Sequence, residues 1–162
     1  MIIEKIISGG QTGVDRAALD IAITNHVNHG GWCPKGRKAE DGTIDKRYEL
    51  QETDADDYRC RTEWNVRDSD ATLVLYTGLL SGGTALTVEL TRTYSKPLYI
   101  LNIDEPYELA LLIQWLDDND IKVLNIAGPR ESNNKGIYRK ACRLLQELVD
   151  QTGVNGIPHP HS

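Results

Sequence analysis

The segment Ile3-Glu4-Lys5-Ile6-Ile7-Ser8-Gly9-Gly10-Gln11-Thr12-Gly13-Val14-Asp15-Arg16-Ala17-Ala18 passes from an apolar run, through three glycines, into a repeat of helical period. Residues 3 to 7 form a short apolar run of the kind found in strands. Val14, Ala17, Ala18, Ile21 and Ala22 then recur at the spacing of one helix face. Strand, glycine turn and amphipathic helix make half of a βαβ unit.

Working outward, a short strand ends near Gly30-Gly31-Trp32. Residues 33 to 57 are the longest irregular stretch, polar and glycine-bearing, with Tyr48 and Leu50 their only hint of extended pairing. A loop of that length in a compact domain is functional or mobile unless it hides short strands. Asp57 can cap a helix to about Val66, and Ala71-Thr72-Leu73-Val74-Leu75-Tyr76 reads as a central strand buried on both faces. A second glycine turn, Ser81-Gly82-Gly83-Thr84, opens a helix to about Tyr94. Pro97 to Leu101 supplies a strand, Glu105 to Asp117 an amphipathic helix, Lys122 to Ile126 a strand, and Ile137 to Leu148 marks the last helix. The alternation predicts an α/β, Rossmann-like doubly wound fold, a mostly parallel sheet with helices on both faces, in a single domain over residues 1–154. Residues 155–162, rich in turn formers, read as a flexible tail rather than as a metal site of His159 and His161.

Composition narrows the function classes. The chain has 162 residues, 40% of them hydrophobic, and 18 Lys plus Arg against 24 Asp plus Glu give a formal charge of -6. Bulk electrostatics of that sign do not attract a nucleic-acid backbone or an anionic membrane, so an anionic ligand must be held locally. The first residues are too charged for a signal peptide and no apolar run approaches a membrane span, so a cytoplasmic protein is expected. Three scattered cysteines, Cys33, Cys60 and Cys142, predict reduced thiols and no structural metal.

The spacing Ser8-x-Gly10-x-x-Gly13 matches the dinucleotide fingerprint at its second and third glycines. Glycines let a backbone approach a ligand closely, and the N–H groups at a helix start attract phosphate. Ser8, Gly9, Gly10, Gln11, Thr12, Gly13 and, in the first helical turn, Arg16 are therefore candidate ligand-binding residues; a tight turn without ligand is the alternative. Asp15 in the same turn complements the helix dipole. Gly13-Val14-Asp15-Arg16 lacks the Lys-Ser/Thr ending of an ATPase loop, and Gly31-Trp32-Cys33-Pro34 lacks the ribose-reading acid of an NAD site.

In the second turn, Gly82, Gly83, Thr84 and Thr87 are candidates, with Thr91 on the same helix face. If the first strand neighbours the strand over 71–76, both glycine turns flank one crevice at the carboxyl ends of the sheet. Arg61, Asn65 and Asp68 share a face of the preceding helix and either grip an anion or heterocycle or form an Arg–Asp network. Lys35, Arg37 and Lys38 are the densest positive cluster and lie within reach of the same edge. Beside them, Cys33 reads as a buried thiol. Glu89 is either a surface residue or, in a hydrolase, an acid/base.

At these segments the sequence resembles the molybdenum cofactor carrier family, whose members look like relatives of LOG-type and DprA-type Rossmann domains. The residues that carry the resemblance are Ser8 to Arg16, Gly30 to Arg37, Asp41-Gly42, Arg61-Thr62, Asn65-Val66, Ser69 to Thr72 and Gly82-Gly83-Thr84. The resemblance implies a carrier that binds molybdenum cofactor as cargo without catalysis. It also implies a homo-oligomer, with molybdoenzymes or cofactor-synthesis proteins as partners. LOG-type phosphoribohydrolases, which cleave nucleoside 5′-monophosphates, carry Pro-Gly-Gly-x-Gly-Thr-x-x-Glu. Ser81 to Glu89 keeps the two glycines and the Glu spacing but lacks the proline and the Gly-Thr pair. Hydrolysis and nucleotide sensing are the alternatives to carriage.

Overall fold

The computed structural model describes residues 3–80 and 82–152; Ser81 and the tail over 155–162 lie outside the described residues. The first half of the chain comprises β1 (Lys5–Ile7), α1 (Val14–Thr24), β2 (Asn28–Gly30), β3 (Trp32–Cys33), β4 (Lys38–Ala39), β5 (Gly42–Thr43) and β6 (Gln51–Glu52). The second half comprises α2 (Tyr58–Arg67), β7 (Ala71–Tyr76), α3 (Gly82–Thr93), β8 (Leu98–Asn102), α4 (Leu109–Asp118), β9 (Val123–Ala127) and α5 (Ile137–Thr152). Asp57 caps α2 as its sequence position predicts, accepting from the Cys60 amide at 3.0 Å.

Five strands form a parallel sheet in the order β2-β1-β9-β7-β8. Two expectations are corrected by this order. The strand over 71–76 is buried as read, but β9, not β7, holds the centre. Likewise β1 pairs with β9, Ile6 opposite Leu124, and not with β7. Alternating βαβ units fix strand direction without fixing the slot a strand takes. Counted from β9, the order is the 3-2-1-4-5 of a doubly wound nucleotide-binding sheet.

Strand alternation divides the sheet chemically. On one face Ile6, Leu73, Leu75, Leu124 and Ile126 pack with Ala17 and Ala18 of α1, Leu112 and Leu116 of α4 and Leu144 and Leu148 of α5. Each fully buried Leu or Ile contributes about 1.5–3 kcal/mol, so this face holds the domain together. The opposite face, beside α2 and α3, has a polar pair at its centre: Asn125 Nδ2 donates to Thr72 Oγ1 at 3.1 Å, both side chains buried.

The stretch over 33–57 is not an open loop. β3 pairs with β6 and β4 with β5, and Cys33, Ala39, Ile44 and Tyr48 pack with Leu19 as a second apolar cluster. Arg37, expected at the ligand edge, instead donates to the carbonyls of Ile44, Asp45, Tyr48 and Leu50 and closes this subassembly on itself.

Candidate functional site

A crevice of about 180 Å³ opens at the carboxyl ends of β1, β9 and β7, where the strand order reverses. Three turns meet there. The first glycine turn supplies Gly9 and Gln11, the second supplies Gly82, Gly83 and Thr84, and the turn after β9 supplies Gly128, Pro129 and Arg130. Helix α2 adds Tyr58, Arg61, Thr62 and Asn65, whose spacing places them on one helix face.

The first turn directs most of its polar groups inward. Ser8, fully buried, donates its hydroxyl to the Ile126 carbonyl at 2.7 Å. The Gln11 amide donates to Asp15 Oδ2 at 3.3 Å, the Thr12 amide to Gln11 Oε1 at 3.1 Å, and the Val14 amide to the Pro129 carbonyl at 3.2 Å. Gly13 is required by close approach, but to protein: at φ +80° a Cβ there would stand 2.3 Å from the Pro129 oxygen. Gly10 faces Leu50 and Ile44. The Thr12 hydroxyl donates to Glu40 and accepts from the Glu131 amide at 3.1 Å, while Arg16 holds the Gly10 carbonyl and pairs with Asp41 at 3.0 Å. Of the residues predicted from this turn, Gly9 and Gln11 line the crevice. Ser8, Gly10, Thr12, Gly13 and Arg16 do not, because the dipole and amides that would attract a phosphate already hold protein oxygens.

Beneath Gly9 lies a buried ion pair. Arg61 Nη1 donates to Asp15 Oδ2 at 2.8 Å, and a Cβ on Gly9 would stand 1.8 Å from that same nitrogen, so glycine is what lets the guanidinium lie there. Burial pushes the Asp15 carboxyl above its ordinary 3.8, against the opposing pull of Arg61. Two donors beside this pair, Gln11 Nε2 and Arg61 Nε, are buried with no hydrogen-bond partner among the described residues. Asn65 is different: its Oδ1 accepts from the Trp32 amide at 2.8 Å and its Nδ2 donates to the Trp32 carbonyl at 3.0 Å, so at the crevice wall its amide clamps β3. Asp68 accepts from Trp32 Nε1 and pairs with Arg67, which leaves Asp15 as the partner of Arg61.

The second turn is open. A Cβ on Gly82 or Gly83 would meet no atom of the described residues within 4 Å, and both glycines stand at the start of α3, facing the crevice. Thr84 and Thr87 are buried along the same wall, and the Thr87 hydroxyl donates back to the Gly83 carbonyl at 3.1 Å.

A family model described as the circularly permutated YpsA SLOG family matches residues 6–149. The chain belongs to this family. The permutation is visible in the sheet, where the strand that opens the doubly wound order is β9. The solved structure of a Syntrophus aciditrophicus SB protein, provisionally named a molybdenum carrier protein, is 48% identical in sequence. It superposes with a TM-score of 0.87 over 91% of this chain and 95% of its own. No curated protein matches the sequence.

Other predicted residues fall outside the SLOG crevice. Glu89 is exposed and is not among the residues that line it. Lys35 is exposed and, like Arg37, absent from the lining. Lys38 alone of that basic cluster approaches, with Nζ 5.3 Å from the centre of the Tyr58 ring. Cys33 is buried as read, and burial raises its thiol above the ordinary value. Sequence reading missed Gly128-Pro129-Arg130 altogether. A Gly-Pro pair directly after an apolar strand was its available signal, and in the permuted order it occupies the place of the phosphate-binding turn. Among the described residues no cluster of His, Cys, Asp and Glu could hold a metal ion, and no helix is long and apolar enough to cross a membrane.

Proposed function

We propose that this SLOG protein binds a phosphate-bearing small molecule in the crevice, with molybdenum cofactor as its cargo, and carries it without transforming it. The observation that carries the reading is the pair of buried, unpartnered donors, Gln11 Nε2 and Arg61 Nε, in the crevice wall. An orphaned buried donor costs about 1–3 kcal/mol, which a ligand oxygen would recover. Opposite them, the start of α3 presents amides at the positive end of a helix dipole, with space left by Gly82 and Gly83. At about 180 Å³ the crevice is smaller than the roughly 300–1,000 Å³ of clefts that enclose a whole ligand. It suits gripping an anionic headgroup and leaving the rest accessible for transfer.

The name of the Syntrophus relative supports molybdenum as the cargo's metal. Among the described lining residues the carboxylate, Asp15, is tied to Arg61, and the Ser8 hydroxyl beside it is buried and donates to the Ile126 carbonyl, which favours carriage over hydrolysis. In this reading the protein acts in the cytoplasm as a homo-oligomer and delivers to molybdoenzymes or takes cargo from cofactor-synthesis proteins. The test is anaerobic equilibration with molybdenum cofactor and measurement of bound pterin. Wild type should saturate, and Gly83→Val should weaken binding at least tenfold while keeping its melting temperature. Saturable binding indifferent to both Gly83→Val and Arg61→Gln would place the ligand elsewhere.

A further inference from the structure

At the mouth of the crevice, one aromatic ring gathers three positive charges. Lys38 Nζ lies 5.3 Å, the Arg130 guanidinium 5.4 Å and the Arg61 guanidinium 5.5 Å from the centre of Tyr58. Arg59, the next residue of α2, lines the same crevice. They come from three separate parts of the chain: the β4–β5 hairpin, the turn after β9, and α2. Against these four cations stand two carboxylates. Asp15 takes Arg61 at 2.8 Å, and Glu40 approaches Arg130 at 3.8 Å. Glu40 is further engaged by the hydroxyls of Thr12 and Ser132 and the Ser132 amide. No described carboxylate lies within ion-pair distance of Lys38 or Arg59.

In a chain of net charge -6, such a local excess of positive charge is a focused field aimed at an anion. The Tyr58 ring face attracts the cations and holds them near one another, and their mutual repulsion is relieved when an anion enters. This excess lies outward of the orphaned donors Gln11 Nε2 and Arg61 Nε, and Arg61 borders both places. A single phosphate seated against the orphaned donors and the start of α3 would leave Lys38 without a counter-charge and Arg130 with Glu40 alone, at 3.8 Å.

We propose that Lys38, Arg59 and Arg130 form a second anion subsite around Tyr58, next to the first, so that the ligand presents two neighbouring phosphoryl groups, as a diphosphate ester does. This rests on the ligand-binding reading of the crevice and narrows its ligand from a phosphate-bearing molecule to a diphosphate-bearing one. It also gives the hairpin over 38–43 a role, since Lys38 reaches the site only because β4 and β5 place it there.

Calorimetric titration of the full chain with inorganic phosphate and with inorganic pyrophosphate, at constant ionic strength and without divalent cations, tests this. Wild type should bind pyrophosphate at least tenfold more tightly. Lys38→Gln and Arg130→Gln should each weaken pyrophosphate at least fivefold while leaving phosphate within twofold, and Lys46→Gln, an exposed charge elsewhere, should change neither. Equal affinity for the two anions, or a preference that survives Lys38→Gln combined with Arg130→Gln, overturns the second subsite and leaves the first standing. Binding of neither anion overturns both, and unchanged melting temperatures show that the variants are folded.

Discussion

The turns Gly9-Gly10-Gln11-Thr12-Gly13 and Gly82-Gly83-Thr84 occupy equivalent places, each between a parallel strand and a helix at one edge of the sheet. Their glycines serve opposite purposes. In the first, the space a side chain would take is filled by Arg61, Leu50, Ile44 and the backbone of Pro129 to Glu131, and amides bond to Asp15, Gln11 and Pro129. In the second, that space is empty and borders the crevice. The same residue type therefore marks a seam within the fold in one case and open space at the crevice in the other. What a Cβ would meet distinguishes them; a motif cannot.

The comparison breaks most visibly at its glycines. Gly13→Val should cost about 3 kcal/mol or more in denaturant unfolding, from a left-handed backbone conformation and a clash with the Pro129 carbonyl. Gly83→Ala, with space and a better helix former, should leave stability unchanged or raise it by up to about 1 kcal/mol. Similar losses at both positions would end the distinction.

Asp15→Asn comes next, because it leaves the Arg61 guanidinium buried beside a neutral amide. Removing one partner of a fully buried pair costs about 3–5 kcal/mol, but burial penalises the Asp15 carboxylate more than Arg61 repays and Arg61 keeps some solvent contact, so a loss of about 1 kcal/mol or less is expected. The same variant should bind sulfate more tightly than wild type, as Arg61 is released toward the crevice.

That exchange sets a pH dependence. Because burial holds the Asp15 carboxyl above 3.8, the folded chain takes up this proton at higher pH than the unfolded chain. The Asp15 contribution to stability therefore grows as pH falls through that window and diminishes as pH rises through it. Sulfate, dianionic throughout, should bind more tightly in wild type as pH falls toward 4, with a smaller increase in Asp15→Asn. Parallel profiles would show that Asp15 does not compete for Arg61. The smallest effect is at Glu40→Gln, which loosens the link between Thr12 and Ser132 on the closed side. As a surface interaction it should change unfolding free energy by about 1 kcal/mol or less and leave anion binding through Gly83 intact.

Much of this architecture was legible in the sequence because it is local. The run Ala71–Tyr76 is apolar at every buried position but Thr72, and Asp57 stands where an N-cap oxygen reaches the Cys60 amide. Slot and partner were not legible. Nothing in Val123–Ala127 states that it will lie between β1 and β7, and without that placement the turn at Gly128 has no reason to be read as part of the site. The segment over 33–57 hid its order because strands of two residues leave no period, and its cohesion comes from Arg37 bonding four carbonyls across the chain. Within the basic cluster the members part ways for a reason no spacing carries: Arg37, at φ +56°, bonds the carbonyls over 44–50, and Lys38 reaches Tyr58.

The central position of β9 also governs how the molecule is made. A ribosome releases β1, β2, β7 and β8 before the strand that joins them, so the growing chain holds two part-sheets whose inner edges wait for residues 123–127. Unpaired edges are sites for mispairing, and the interval is short only because α4 alone separates β8 from β9. Arg130 follows three residues after β9, so the joining of the sheet and the completion of the crevice belong to one moment of synthesis, and an unfinished chain lacks the crevice's third turn.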